Sequence, residues 1–355
     1  MVNLHCLTEV GNSGIHTICI GLCMRLQAEG FKVGFMKPLG FRAVRDNDAV
    51  TDVDAKFLKD LLGLEDVLAD ICPVFLTPYL IQQALSGTGE DLAKKVLMSF
   101  SSIAENKDAV VLQGALTAPQ GALLHLSGYD LSELLDSKVL LVERYDDAFQ
   151  VDNVLEAQQH FGDKLLGVIF NMIPPVRKSF VDELIRPYLE NKGIPMLGSL
   201  PEDRILKSTS IRDLAETLQG QVLTGESHLD DLVENVMVGA MGQEHALSFF
   251  RKRFNQVIVT GGDRSDIQLA ALEANARCVI LSGNLYPSRI ILSKAEEMGI
   301  PLILVEDDTL TAAEKTELLI RSARTHETKK LERLKELMDM YVDFERLYQL
   351  SGLRT

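Results

Sequence analysis

A glycine-containing turn, Thr8-Glu9-Val10-Gly11-Asn12-Ser13-Gly14-Ile15-His16-Thr17, follows the first apolar run and precedes a segment carrying Ile18, Ile20, Leu22 and Leu26. Glycines between a strand and a helix N-terminus expose backbone N–H groups that suit an anion. Handling a nucleotide phosphate requires more: a lysine after the last glycine to neutralise the β- and γ-phosphates, then a Ser or Thr hydroxyl for magnesium. Ile15 and His16 stand at those positions. A hydrogen bond to a charged group is worth about 1.5–3 kcal/mol, so loss of the lysine alone costs about tenfold or more in affinity. Imidazole is a poor magnesium ligand beside oxygen, and a catalytic magnesium is not expected. Thr17 can supply a hydroxyl if the register moves by one, and a protonated His16 can touch a phosphate, so weak anion binding stays open. The competing reading is that Gly11 and Gly14 only make the turn and His16 only starts the helix.

A second loop of this kind, Thr260-Gly261-Gly262-Asp263-Arg264-Ser265-Asp266, lies between a short apolar run and a helical pattern. Two glycines bend the chain, and Ser265 or Asp266 is placed to cap the helix. Arg264 and the loop amides can hold a regulatory anion, or Arg264 can pair with an acid across a subunit contact. Elsewhere, Asp52 and Asp54 are placed to cap a helix, Asn171 before Met-Ile-Pro-Pro can organise a turn, and Lys37 ends a strand.

The elements that must position these residues alternate apolar runs of strand length with amphipathic stretches of helix length, the pattern of a parallel sheet covered on both faces. Strands are expected at 2–8, 32–37, 109–113, 138–143, 165–171 and 195–200, with helices near 15–29, 54–62, 89–104, 150–161 and 177–192. The strands are nearly continuous apolar runs and so are expected to be buried on both faces. After a more polar stretch the alternation repeats on a smaller scale: strands at 256–260, 278–282 and 302–306, helices near 266–274, 288–299 and 310–323. In the tail, Leu331, Leu334, Met338 and Tyr341 share one helical seam, which suits packing on the chain's own domain or a dimer contact. The expected domains are 1–210, 211–323 and a C-terminal helix and tail over 324–355.

A chain of 355 residues that is 46% hydrophobic is long enough for two such cores. A net charge of −15 leaves no broad basic field for nucleic acid or an anionic membrane. The opening MVNLHCLTEV has no basic region followed by a long apolar run, and no segment approaches the roughly 18 apolar residues of a membrane span. Cytoplasmic location is expected. Cys6, Cys19, Cys23, Cys72 and Cys278 are scattered through apolar stretches without paired metal-ligand spacing, and read as reduced core residues.

The ordered set GNSG, Lys37-Pro38-Leu39-Gly40, Asp54-Ala55-Lys56-Phe57-Leu58, ICPVFLTP (71–78), LLVERYDD (140–147), GVIFNMIP (167–174) and LGSLPED (197–203) resembles the dethiobiotin-synthetase-like, P-loop N-terminal region of long phosphotransacetylases. The run around Thr260–Gln268, LSGNLYPS (281–288) and Glu306-Asp307-Asp308-Thr309 resembles the DRTGG domain that follows it. The resemblance implies an α/β fold: a P-loop-type parallel sheet with helices on both faces, then a smaller α/β DRTGG-like regulatory and oligomerisation domain and a C-terminal helix. It implies that Gly11, Asn12, Ser13, Gly14, His16, Thr17, Lys37, Asp54, Gln113 and Asn171 line a nucleotide site. There Lys37 resembles a phosphate- or substrate-contacting lysine, Asp54 a metal-linked aspartate and Asn171 an adenine-reading amide. Active members of that family carry lysine where Ile15 stands, Thr or Ser where His16 stands, and a metal-binding Glu where Gln113 stands, so the Walker A apparatus is degenerate. The family's acetyl transfer belongs to a further domain that the matched region is expected to lack.

These readings point to a non-catalytic regulatory or scaffold protein that senses a nucleotide or another metabolite. It would require no cofactor, bind ATP or another nucleotide weakly, and assemble as a homo-oligomer, dimer or larger, with or without a separate transferase or metabolic enzyme. The alternative is an ATP-dependent ligase or synthetase resembling dethiobiotin or cobyrinic acid diamide synthase, working through a rearranged loop with His16, Thr17 and Lys37.

Overall fold

A computed structural model describes residues 1–46, 49–147, 150–321 and 328–353. Contacts divide the chain into two compact units, Met1–Glu202 with Leu331–Thr355, and Asp203–Lys330. The first unit is built on six parallel strands: β1 (Val2–Leu7), β2 (Val33–Met36), β3 (Ala109–Gln113), β4 (Lys138–Arg144), β5 (Leu165–Ile173) and β6 (Met196–Pro201), in the order β6-β5-β4-β1-β3-β2. β1 is central, with Cys6 level with Gln113 of β3 on one side and Leu140 of β4 on the other. All five residues of β3 are buried, as a strand covered on both faces requires.

One face of this sheet packs Leu7, Val139, Leu141, Val168 and Phe170 against the helix Gln150–Phe161 and the helical run 178–191. Helix α1 (Ile15–Ala28) buries Ile18, Cys19, Ile20, Leu22, Cys23 and Leu26, a nearly all-round apolar surface that suits an interior helix. Its Gly21 admits the C-terminal helix Thr328–Tyr341: a Cβ there would lie 2.7 Å from Met338 Cγ. Helix α2 (Val53–Leu62) follows a hairpin, Ala43–Asp46 with Ala49–Asp52, that the sequence patterning does not disclose.

The C-terminal seam packs within the first unit, with Leu334 and Met338 buried, and so is not presented as a dimer contact. The single expected helix breaks at Val342, which bridges Gly198, and resumes as Phe344–Ser351 under an Asp343 cap. Arg346 fixes this second helix through two 2.6 Å bonds to Glu190. Parts of the expected tail (324–327, 354 and 355) and of the helix near 310–323 (residues 322 and 323) lie outside the described residues.

The second unit is a five-stranded sheet of β7 (Gln221–Thr224), β8 (Asn235–Val238), β9 (Gln256–Gly261), β10 (Cys278–Ser282) and β11 (Leu302–Leu304), in the order β7-β11-β10-β9-β8. β8 to β11 run parallel, and β7 pairs antiparallel with β11. Ile258, Val279 and Leu281 face the helices Ser265–Glu273 and Arg289–Met298, while Val257, Val259, Ile280 and Ile303 face Ile211, Leu214, Ala312 and Ala313. By contacts the first unit ends at Glu202, and Thr209 and Ser210 pair with Leu232 and Val233 inside the second unit. The fold is thus α/β throughout. No helix among the described residues is long and apolar enough to cross a membrane.

His5 on β1 is fully buried, and neither ring nitrogen has a hydrogen-bond partner among the described residues. Burial pushes its pKa from 6.5 down to about 3. The unfolded chain therefore takes up a proton that the folded chain refuses, and stability falls as pH drops from 6.5 toward 3. His5→Leu is expected to gain in melting temperature relative to the parent between about pH 7 and about pH 5. An unchanged difference across that range would show that the ring is not a source of acid lability.

Candidate functional site

The loop between β1 and α1 is held by side chains from other strands. Gly14 has φ +79°, and a Cβ there would collide with the Asn171 amide, so glycine is required twice over. Asn171 donates through Nδ2 to Ser13 O at 2.9 Å and accepts Met172 N–H through Oδ1 at 2.9 Å. The amide that the resemblance assigns to adenine reading is therefore a clamp on the loop. Gly11 is exposed and a Cβ would meet nothing within 4 Å; the second left-handed position is Asn12, at φ +58°. Steric need thus explains Gly14 and not Gly11.

Glu143, absent from the sequence-based site, anchors the start of the loop. It is fully buried on β4, accepting Glu9 N–H at 2.7 Å and Thr8 Oγ1–H at 3.3 Å, with Asn153 Nδ2 donating to its other oxygen at 3.4 Å. Burial pushes its pKa up to about 7, against the opposing pull of these donors.

Below the loop lies a buried charge cluster. Lys37, at the end of β2 and 3% exposed, donates from Nζ to Asp52 Oδ1 and Asp54 Oδ2, both at 2.7 Å. Asp52 caps α2 by accepting Asp54 N–H at 2.9 Å, and its other oxygen accepts the N–H groups of Phe41 (2.8 Å) and Arg42 (3.0 Å). Asp54 also accepts from Arg42 Nη2 at 2.9 Å and from Gln113 Nε2 at 3.3 Å. His16 completes the set: Nδ1 lies 3.3 Å from Gln113 Oε1, and Nε2 lies 3.8 Å from Asp54 Oδ1.

Two cations and two carboxylates cancel. Burial pushes Asp54 toward protonation, but neighbouring positive charge holds its carboxyl well below the usual range. His16 is itself lowered by burial, so Lys37 and Arg42 supply that charge at neutral pH. The structure thus brings together His16, Lys37, Asp54 and Gln113, and adds Asp52 and Arg42. Ile15 opens α1, whose N-terminus has no side-chain cap and no acid in its first turn; Thr17 is half-buried.

In the second unit a Cβ at Gly262 would collide with the Leu285 carbonyl, which fixes glycine there by close approach. Arg264 pairs within its own chain: Nε and Nη2 each reach Asp266 at 3.0 Å, and Nη2 donates to Met241 O at 3.2 Å. Neither Ser265 nor Asp266 caps the helix, since Arg264 stands at the cap position without a side-chain bond. Buried Gln268 ties the loop instead, donating to the carbonyls of Gly261 (2.9 Å) and Gly262 (3.0 Å), while Asp263 is exposed. All five cysteines are free and buried, and burial raises the Cys19 and Cys23 thiols well above their ordinary range.

Residues 9–210 match the family described as AAA domain, and residues 213–319 match the DRTGG domain. The phosphate acetyltransferase of Synechocystis sp. is 24% identical over 291 residues, covering 78% of this chain and 41% of that protein. The phosphate acetyltransferase of Pseudomonas aeruginosa is 24% identical over 365 residues, covering 96% of this chain and 50% of that protein. The chain thus spans half or less of the length of these relatives. Among solved structures, cobyrinic acid a,c-diamide synthase from Mycobacterium smegmatis aligns with TM-score 0.36 and 16% identity over 57% of this chain and 87% of its own. The CBS and DRTGG domains of Clostridium perfringens pyrophosphatase align with TM-score 0.30 and 21% identity, over 43% and 74%.

Removing the lysine charge leaves two buried carboxylates sharing the single cation Arg42, a loss of about 3–5 kcal/mol. Lys37→Met should therefore lower the denaturation midpoint strongly, and adding Asp54→Asn should recover part of the loss; equal midpoints for the two variants would contradict the compensation. Glu143 gives the opposite pH sign to His5. Its native pKa of about 7 lies above the ordinary 4.5, so stability is present at low pH and is lost as pH rises from 4.5 through 7. Glu143→Gln should gain on the parent in melting temperature over that rise, and parallel profiles would show that the carboxyl does not titrate there.

Proposed function

Since the chain belongs to the AAA domain family through residues 9–210 and carries a DRTGG domain over residues 213–319, we propose that it is a non-catalytic regulatory or scaffold protein related to the N-terminal part of phosphate acetyltransferases. The observation that carries this reading is the placement of Lys37 between Asp52 and Asp54. For Lys37 to meet a phosphate it must leave two buried carboxylates, of which only Asp54 would keep a cation, Arg42. Asp54 is shared by Lys37, Arg42 and Gln113, which leaves little negative charge for a magnesium ion. Ile15 supplies no cation at the end of the loop, and His16 with Gln113 supplies no anionic oxygen. What the loop retains is an uncapped helix N-terminus, a weak attractor of anions.

In this reading the protein is cytoplasmic and acts as a homo-oligomer. A separate transferase or metabolic enzyme is its candidate partner. The rival, an ATP-dependent ligase, has only Lys37 in its favour and needs that residue released.

The test is calorimetric titration of the protein with ATP, with and without magnesium, alongside phosphate release. Absence of magnesium-dependent turnover is expected. Binding without turnover would make it a nucleotide sensor, and no binding would make it a scaffold. Turnover that disappears in Asp54→Asn would overturn the proposal in favour of a ligase.

A further inference from the structure

The second unit holds a cavity of about 420 Å³ that the family resemblance does not assign. It lies where the chain enters the amino ends of β9, β10 and β11, away from the Gly261–Asp266 loop at the carboxyl end of β9. Arg251 and Arg253 reach it from the turn between the helix Gln243–Phe250 and β9, and Arg277 from the turn before β10. Arg277 is held in place, with Nε donating to Asn255 Oδ1 at 3.2 Å and Nη1 lying 3.4 Å from Asp231 Oδ2. Arg251 and Arg253 are exposed and form no ion pair among the described residues. Two uncommitted guanidinium groups beside a third, in a chain of net charge −15, call for a physical reason.

Helix dipoles supply part of one. The helices Gln243–Phe250, Ser265–Glu273 and Arg289–Met298 all end in the lining, each contributing about half a negative charge. Together with Asp231 these ends offset much of the arginine charge yet leave the cavity net positive, and only the arginines present forked N–H donors matched to phosphate oxygens. Beside them Phe254 is 80% exposed, a ring open to stacking, and Ala276 and Ile300 give an apolar floor. A cavity of this size suits a small organic ligand.

We propose that this cavity binds a small phosphorylated metabolite bearing a planar ring, of the nucleoside phosphate class, with Arg251 and Arg253 on the phosphates, Arg277 adding positive charge beside them, and Phe254 against the ring. The inference rests on the sensor form of the reading above and places the sensed ligand in the second unit.

The test titrates the full chain with ADP and, separately, with inorganic pyrophosphate in magnesium-free buffer. It compares the parent, Arg251→Ala/Arg253→Ala, Phe254→Ala and the control Arg264→Ala, with melting temperature followed for each. ADP affinity should fall roughly tenfold or more in the double arginine variant, weaken with salt, and hold in Arg264→Ala. Phe254→Ala should weaken ADP but not pyrophosphate. Parent-like ADP binding in the double variant, or no ADP binding by the parent, overturns the proposal. ATP turnover in the same preparations would instead remove the non-catalytic reading while leaving the arginine comparison to decide the cavity.

Discussion

The first unit depends on one buried ammonium group. Lys37 Nζ sits between Asp52 and Asp54, each essentially closed to solvent, where an unmatched charge costs several kcal/mol. Every neighbouring choice follows from keeping that cluster neutral and hydrogen-bonded. Asp52 must accept from the backbone of Phe41, Arg42 and Asp54, which fixes the turn into the hairpin and the start of α2. Arg42 and Gln113 complete the acceptor capacity of Asp54 and bring β3 into the same network. His16 at the start of α1 reaches the same oxygens through Gln113, and stays neutral because burial outweighs the pull of the carboxylate. A site arranged to bind magnesium phosphate leaves charge unbalanced until its ligand arrives. Here the balance is reached by the protein's own side chains.

Steric and polar constraints act together on the loop above this cluster. Gly14 is indispensable because Asn171 presses against it, and Asn171 is in turn oriented by Ser13 and Met172. Glu143 holds the other end, taking the Glu9 amide and the Thr8 hydroxyl. The loop is held because two strands, β4 and β5, grip it through Glu143 and Asn171, a cause independent of any phosphate.

Much of this architecture was legible in the residues and some was not, for identifiable reasons. The six strands of the first unit are continuous apolar runs, so burial on both faces leaves a strong signal. β7 and β8 are four-residue, half-buried edge strands inside polar sequence, and the hairpin before α2 carries polar and charged residues, so neither has a period to read. The C-terminal heptad-like seam was visible, but its partner was not: Met338 meets Gly21, more than three hundred residues earlier, a pairing no local spacing encodes. The site divides the same way. Lys37, Asp54 and Gln113 stand out by residue type at positions the resemblance marks, whereas the roles of Arg42, Glu143 and Gln268 are set by the contacts they make on folding, which residue type and spacing do not announce.

Both units place a glycine-bearing loop after a parallel strand and before a helix, and in both the polar groups of that loop are turned on the protein itself. Asn171 spends its amide on Ser13 and Met172; Gln268 spends its amide on Gly261 and Gly262; Arg264 spends its fork on Asp266. A group already satisfied gains little from a ligand, because the exchange replaces one hydrogen bond with another. The capacity to bind an anion therefore lies with donors that no protein acceptor holds, and exposed Arg251 and Arg253, without an ion pair among the described residues, are such donors at the opposite end of the second sheet. Loop shape and residue type mark where a phosphate is held in related folds, while in this chain the state of hydrogen-bond satisfaction shifts the expected site from the glycine loops to that arginine-lined cavity.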